Sequence, residues 1–133
     1  MRIPENTVAD VVRDASQRMS DPRYAQTVVG TWVQSQPSAT RYLTAFVKEF
    51  GGPEAVVNAV FHAALMANCF LRHAGRSVRA ITFEELDSVA SLDRAKELQK
   101  RQPALHDYLV ANVENLEMRR VLMMLALAMD YVF

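Results

Sequence analysis

Val121-Leu122-Met123-Met124-Leu125-Ala126-Leu127-Ala128-Met129 is a run of nine residues without one polar side chain. Leucine, methionine and alanine are strong helix formers, and a helix that is apolar on every side has to be buried on every side. Nine residues fall short of the roughly 20 that a bilayer-spanning helix needs. The run is therefore the middle of a core helix, predicted from Leu116 to Val132, and the fold is all-α. A second long apolar helix is expected between Pro53 and Gly75. Its stretch from Ala55 to Leu71 has no Asp, Glu, Lys or Arg but contains Asn58, His62 and Asn68, which also suits a core helix better than a membrane span.

The remaining segments read as helices around these two. Val8, Val11, Val12, Ala15 and Met19 recur at helical spacing and predict a first helix over Thr7–Met19, with an Asp14–Arg18 pair one turn apart on its outer face. Asp21 before Pro22 is an N-cap followed by a first-turn proline, and Pro37 ends that helix while starting the next, which Gly51 and Gly52 close. Thr82 and Glu85 have capping-box spacing, with Ile81 and Leu86 placed for a hydrophobic staple. Pro103 starts another helix. The expected architecture is a single domain over residues 1–133, a compact bundle of about six or seven helices.

An internal repeat is also legible. Gln36, Pro37, Tyr42, Leu43, Ala45 and Val47 match Gln102, Pro103, Tyr108, Leu109, Ala111 and Val113 at a constant offset of 66 residues, and each set precedes a long apolar helix. The segments 21–74 and 87–133 would then be two pseudo-symmetric three-helix units. Against this, Gln-Pro is a common helix opener and the halves match poorly elsewhere.

Fifteen basic residues balance fifteen acidic ones, so the chain lacks the electrostatic footprint of a nucleic-acid binder. Cys69 is the only cysteine, which rules out an intramolecular disulfide and gives no sign of an oxidising compartment. Residues 1–14 carry no apolar stretch of the secretory kind. A cytoplasmic protein without membrane contact is expected.

Three groups of side chains are candidates for chemistry. His62, Met66, Cys69 and His73, spaced by four, three and four residues, form one stripe of the long helix. They are soft-metal or haem ligand types. One straight helix cannot wrap an ion, however, and the same strip is where that helix is most polar, so neither metal nor cofactor is expected. Cys69 as a nucleophile would need a base and a lowered pKa, yet it sits in an apolar helix where thiols are commonly inert. Arg72, Arg76 and Arg79 cluster at the helix end, where positive charge complements the helix dipole; their functional use would be contact with an anion or an acidic partner.

No catalytic glycine loop, serine elbow, zinc spacing or Glu-x-x-His pair occurs, so an enzyme is not expected. The first expectation is a protein–protein interaction or oligomerisation module, associating with a second copy as a homodimer or with another protein. The alternative is a small-molecule-binding, or metal- or haem-binding, helical domain. Its pocket would lie between the two long helices, lined by Trp32, Phe61, Met66 and Phe70, with Asn58 or His62 as polar anchors.

Overall fold

The apolar run Val121–Met129 lies within a helix spanning Leu116–Val132, and all nine of its residues are buried. The computed structural model describes residues 1–133 and is helical throughout, with no strand. In chain order the helices are α1 (Glu5–Arg18), α2 (Pro22–Ser35), α3 (Pro37–Thr44), α4 (Val47–Phe50) and α5 (Pro53–Ala74). Then come α6 (Phe83–Ala90), α7 (Arg94–Arg101), α8 (Pro103–Asn112) and α9 (Leu116–Val132). Two helices act as hubs. α9 is covered by α4, α6, α7, α8 and α5, while α5 is covered by α1, α2, α3, α4 and α9. The two hubs pack on each other, and one contiguous core includes side chains of both.

Nine helices replace the expected six or seven, partly because the Pro37–Gly51 segment is two helices rather than one. Thr40 and Thr44 bond back through their hydroxyls to the carbonyls of Gln36 and Thr40 at 2.8 and 2.9 Å, a pattern that loosens the helical ladder. Phe46 then leaves helical geometry at φ −97°, ψ 20°. Its ring joins Tyr42 and Phe50 in a short aromatic stack. The predicted stop signals hold: Gly51 and Gly52 adopt φ of 109° and 126°, and Gly75 ends α5 at 76°, conformations cheap only for glycine.

The start signals hold as well. Asp21 caps α2 through Arg23 N–H. Thr82 and Glu85 form a complete capping box on α6, with Ile81 and Leu86 buried beside it. Asp93, unremarked in the sequence, caps α7 through Lys96 N–H. Asn115 caps α9 through Met118 N–H and donates its amide to the carbonyl of Glu49 at 3.2 Å, fixing the end of α4 against the start of α9. Asp14 pairs with Arg72 of α5 at 2.5 Å instead of with Arg18.

Two buried glutamines hold the non-helical segments. Gln36 and Gln102 are the only buried polar residues, and each precedes a helix-opening proline in nearly the same conformation, φ −132°, ψ 64° and φ −137°, ψ 71°. Ile81 N–H donates to Gln36 Oε1 at 2.9 Å, and Gln36 Nε2 donates to the Arg79 carbonyl at 2.8 Å. Ile3 N–H donates to Gln102 Oε1 at 2.9 Å, and Gln102 Nε2 donates to the Met1 carbonyl at 2.7 Å. A carboxamide offers one acceptor and two donors, so it can stand in for the strand partner that an extended, buried segment would otherwise lack. Gln102 Nε2 also reaches Asp130 Oδ1 at 2.8 Å.

Replacing Gln102 with alanine strands the Ile3 N–H in the interior, and Gln36→Ala does the same to Ile81. Each unsatisfied buried group costs about 1–3 kcal/mol, so each variant is expected to lose about 2–3 kcal/mol in urea unfolding followed by circular dichroism. A loss below about 0.5 kcal/mol would show that the amides are dispensable.

Candidate functional site

α2 is the least embedded of the long helices. Of its fourteen residues only Trp32 is buried. Tyr24, Val28 and Trp32 recur every four residues, and Thr27, Thr31 and Ser35 form a parallel hydroxyl stripe beside them. Opposite, α5 offers Ala64 and Ala67, whose small side chains cannot fill the space between the helices, with Asn68 and Leu71 next to them. The result is an open cleft of about 470 Å³ between α2 and α5, within the size range of ligand pockets. Ser77, Val78 and Gln36 form part of its wall, and Arg18 is the one charged residue lining it.

Trp32 carries the least ordinary feature of the cleft. Its side chain is 3% exposed, and its indole Nε1 is a buried side-chain donor with no hydrogen-bond partner. Buried polar atoms are nearly always paired, and an unpaired one calls for an explanation such as an absent acceptor.

The side chains singled out in the sequence are distributed differently. Of the expected pocket set only Trp32 lines the cleft. Phe61 is half-buried and meets Tyr24 edge-on at 6.2 Å. Asn58 and His73 are exposed, while Met66 and Phe70 are sealed in the core. Cys69 and Met66 border an apolar gap with Tyr108 that is too narrow for a water molecule. His62 turns toward α8, with Nδ1 2.6 Å from the Tyr108 hydroxyl. The stripe of His62, Met66, Cys69 and His73 thus faces two core neighbours and solvent, and no three His, Cys, Asp or Glu side chains converge in metal-binding geometry.

The three arginines are each engaged within the chain. Arg72 pairs with Asp14, Arg79 grips Glu85 through both guanidinium nitrogens, and Arg76 lies over the Phe133 ring at 4.5 Å while bonding its main-chain oxygen. Arg79 and the Thr82 backbone hold the Glu85 carboxyl down at about 2, well below the usual carboxylate range.

Burial governs the titration of the core groups. It pushes the Cys69 thiol up to about 12 and raises the Tyr108 phenol. The phenol therefore stays neutral in its hydrogen bond with His62 Nδ1. Burial also lowers the His62 pKa, which keeps the imidazole neutral.

What the sequence left unmarked is the hydroxyl stripe of α2 and the alanines of α5. Thr27, Thr31 and Ser35 at spacings of four were visible, but a stripe of hydroxyls on a helix reads equally as a solvated face. Comparison with family models, curated proteins and solved structures finds no match for this chain.

Two outcomes follow from these burials. Cys69 is expected to react with iodoacetamide at neutral pH only as fast as the chain opens, with rapid labelling in denaturant; fast labelling of the folded chain would contradict a thiol of raised pKa. For His62 the unfolded chain takes up a proton near pH 6.5 that the folded chain refuses, so stability is full above that pH and falls as pH drops below it. Melting temperatures between pH 7 and pH 5 should fall more steeply for the natural chain than for His62→Gln, and superimposable slopes would mean that the imidazole is not held neutral.

Proposed function

We propose that this chain is a non-enzymatic helical domain that holds a small amphipathic molecule in the cleft between α2 and α5. The single observation that carries this is the cleft itself: about 470 Å³ of space beside the Trp32 ring, between α2 and α5. Apolar walls with a few polar groups are the usual make-up of such sites. The titratable groups of the core argue against catalysis, since burial disfavours the charged forms of Cys69, Tyr108 and His62 and none of them lines the cleft.

Self-association draws less support. Its motive was a pair of apolar helices in need of cover, and in a single chain α5 and α9 cover each other and are wrapped by the remaining helices. α5 packs directly on α9, and the cleft lies on another face of α5, against α2.

We also read the chain as two related units, with α1, α2 and α3 about α5 and α6, α7 and α8 about α9. The matched hydrogen bonds of Gln36 and Gln102 support this. In that reading each glutamine grips the leading segment of the other unit, since Gln36 holds Arg79–Ile81 and Gln102 holds Met1–Ile3. The units differ in length: α1 and α2 have fourteen residues each, α6 and α7 eight each. With the glutamines aligned, α7 corresponds to Val28–Ser35. The extra turns of α2 contribute Tyr24 and Thr27 to the cleft wall, so the cleft belongs to the lengthened unit.

A neutral fluorescent probe tests the cleft. N-phenyl-1-naphthylamine is expected to brighten and saturate at one site per chain, and Ala67→Phe, which fills the space, should abolish the signal while the chain remains folded by circular dichroism. Equal brightening with Ala67→Phe would place the probe elsewhere and sink the proposal.

A further inference from the structure

Resting on the cleft reading, we propose that its ligand is an elongated amphipathic monocarboxylate, with the carboxylate against Arg18 and the apolar tail along α2. The charge pattern points to the head group. Of the fifteen residues lining the cleft, Arg18 is the only charged one, and no Asp or Glu is among them. The α1 acids nearest Arg18 already hold other cations: Asp10 pairs with Arg13 at 2.7 Å, and Asp14 with Arg72 at 2.5 Å, although Arg18 still adds to the field at Asp14. That leaves Arg18 without a carboxylate, its guanidinium 5.9 Å from the centre of the Tyr24 ring. A planar guanidinium with open N–H groups suits a carboxylate in bidentate fashion. A single such group offers too little to hold a multiply charged phosphoester, and a cationic head would meet repulsion.

The shape of the cleft points to the tail. Its α2 wall runs from Tyr24 to Ser35, about 16 Å at 1.5 Å per residue. Val28, Trp32, Leu65, Leu71 and Val78 supply apolar surface along it, and Leu71 is 42% exposed with nothing of this chain covering its outer side. Thr27, Thr31 and Ser35 add a hydroxyl edge to the same wall. A flexible chain with one polar end fits this long, open cleft of mixed lining better than a compact polar metabolite.

Trp32 is the only tryptophan, so its emission reports on the cleft directly. The full chain and Arg18→Gln would be titrated with dodecanoate, 1-dodecanol and dodecyltrimethylammonium below their aggregation limits, with isothermal calorimetry alongside to register any binding that leaves the emission unchanged. Dodecanoate is expected to bind the natural chain about fivefold more tightly than 1-dodecanol, the scale of one partly solvated ion pair, and the cationic amphiphile most weakly. Arg18→Gln should erase the preference for dodecanoate and leave 1-dodecanol affinity unchanged. If dodecanoate and 1-dodecanol bind the natural chain equally, or Arg18→Gln leaves the preference intact, the carboxylate assignment fails while the cleft reading stands. If none of the three binds by either readout, both fail.

Discussion

The packing of α9 against α5 is the constraint on which the rest of the molecule depends. Nine consecutive apolar residues leave α9 no face that can meet water, so the chain has to wrap it completely. Fully burying side chains of this kind contributes roughly 1.5–3 kcal/mol each before the entropy of ordering is set against it. Five helices surround α9, and α5 is one of them. α5 is long and apolar enough to cross a membrane by length and composition alone, yet only 39% of its most apolar window is buried. Its remaining surface is divided between a polar strip and the half-covered contact with α2. The one helix is saturated with neighbours and the other is not, and the cleft is where that difference appears.

The two glutamines extend the same logic to the connecting segments. A bundle built of helices satisfies its own backbone, but the stretches leading into α1 and α6 are non-helical, and Ile3 and Ile81 within them are buried. Each is held by a carboxamide placed at the kink before a proline, where the chain is already turned out of helical geometry. Gln36 serves a second role as part of the cleft wall, beside Ser77 and Val78. The wall of the cleft is thus continuous with the segment that leads into α6.

Much of the fold was legible because its determinants are local. The apolar run of α9, the prolines at Pro22, Pro37, Pro53 and Pro103, the glycine stops and the Thr82–Glu85 box act within one or two turns, and each fixes a helix end. The break at Phe46 was not legible, because it depends on how Tyr42, Phe46 and Phe50 stack in three dimensions. The cleft was still less so. Apolar pattern marks what is buried, and a cleft is defined by what fails to be filled, here beside the small alanines of α5 where it meets α2. Trp32 lines the cleft, whereas Phe61 meets Tyr24 edge-on and Met66 and Phe70 fill the core, and an apolar pattern does not separate these fates. The arginines Arg72, Arg76 and Arg79 looked free in one dimension and are tied to Asp14, Phe133 and Glu85 in three.

Amide hydrogen exchange, resolved by residue, measures this unequal embedding directly. The amides of α9 from Val121 to Met129 are expected to exchange only through global unfolding, those of α5 facing α9 nearly as slowly, and those of α2 by local opening at least about a hundredfold faster. If α2 were as protected as α9, or α9 exchanged as readily as α2, then α9 would not be the saturated centre of the bundle and α2 would not be its loosely seated wall.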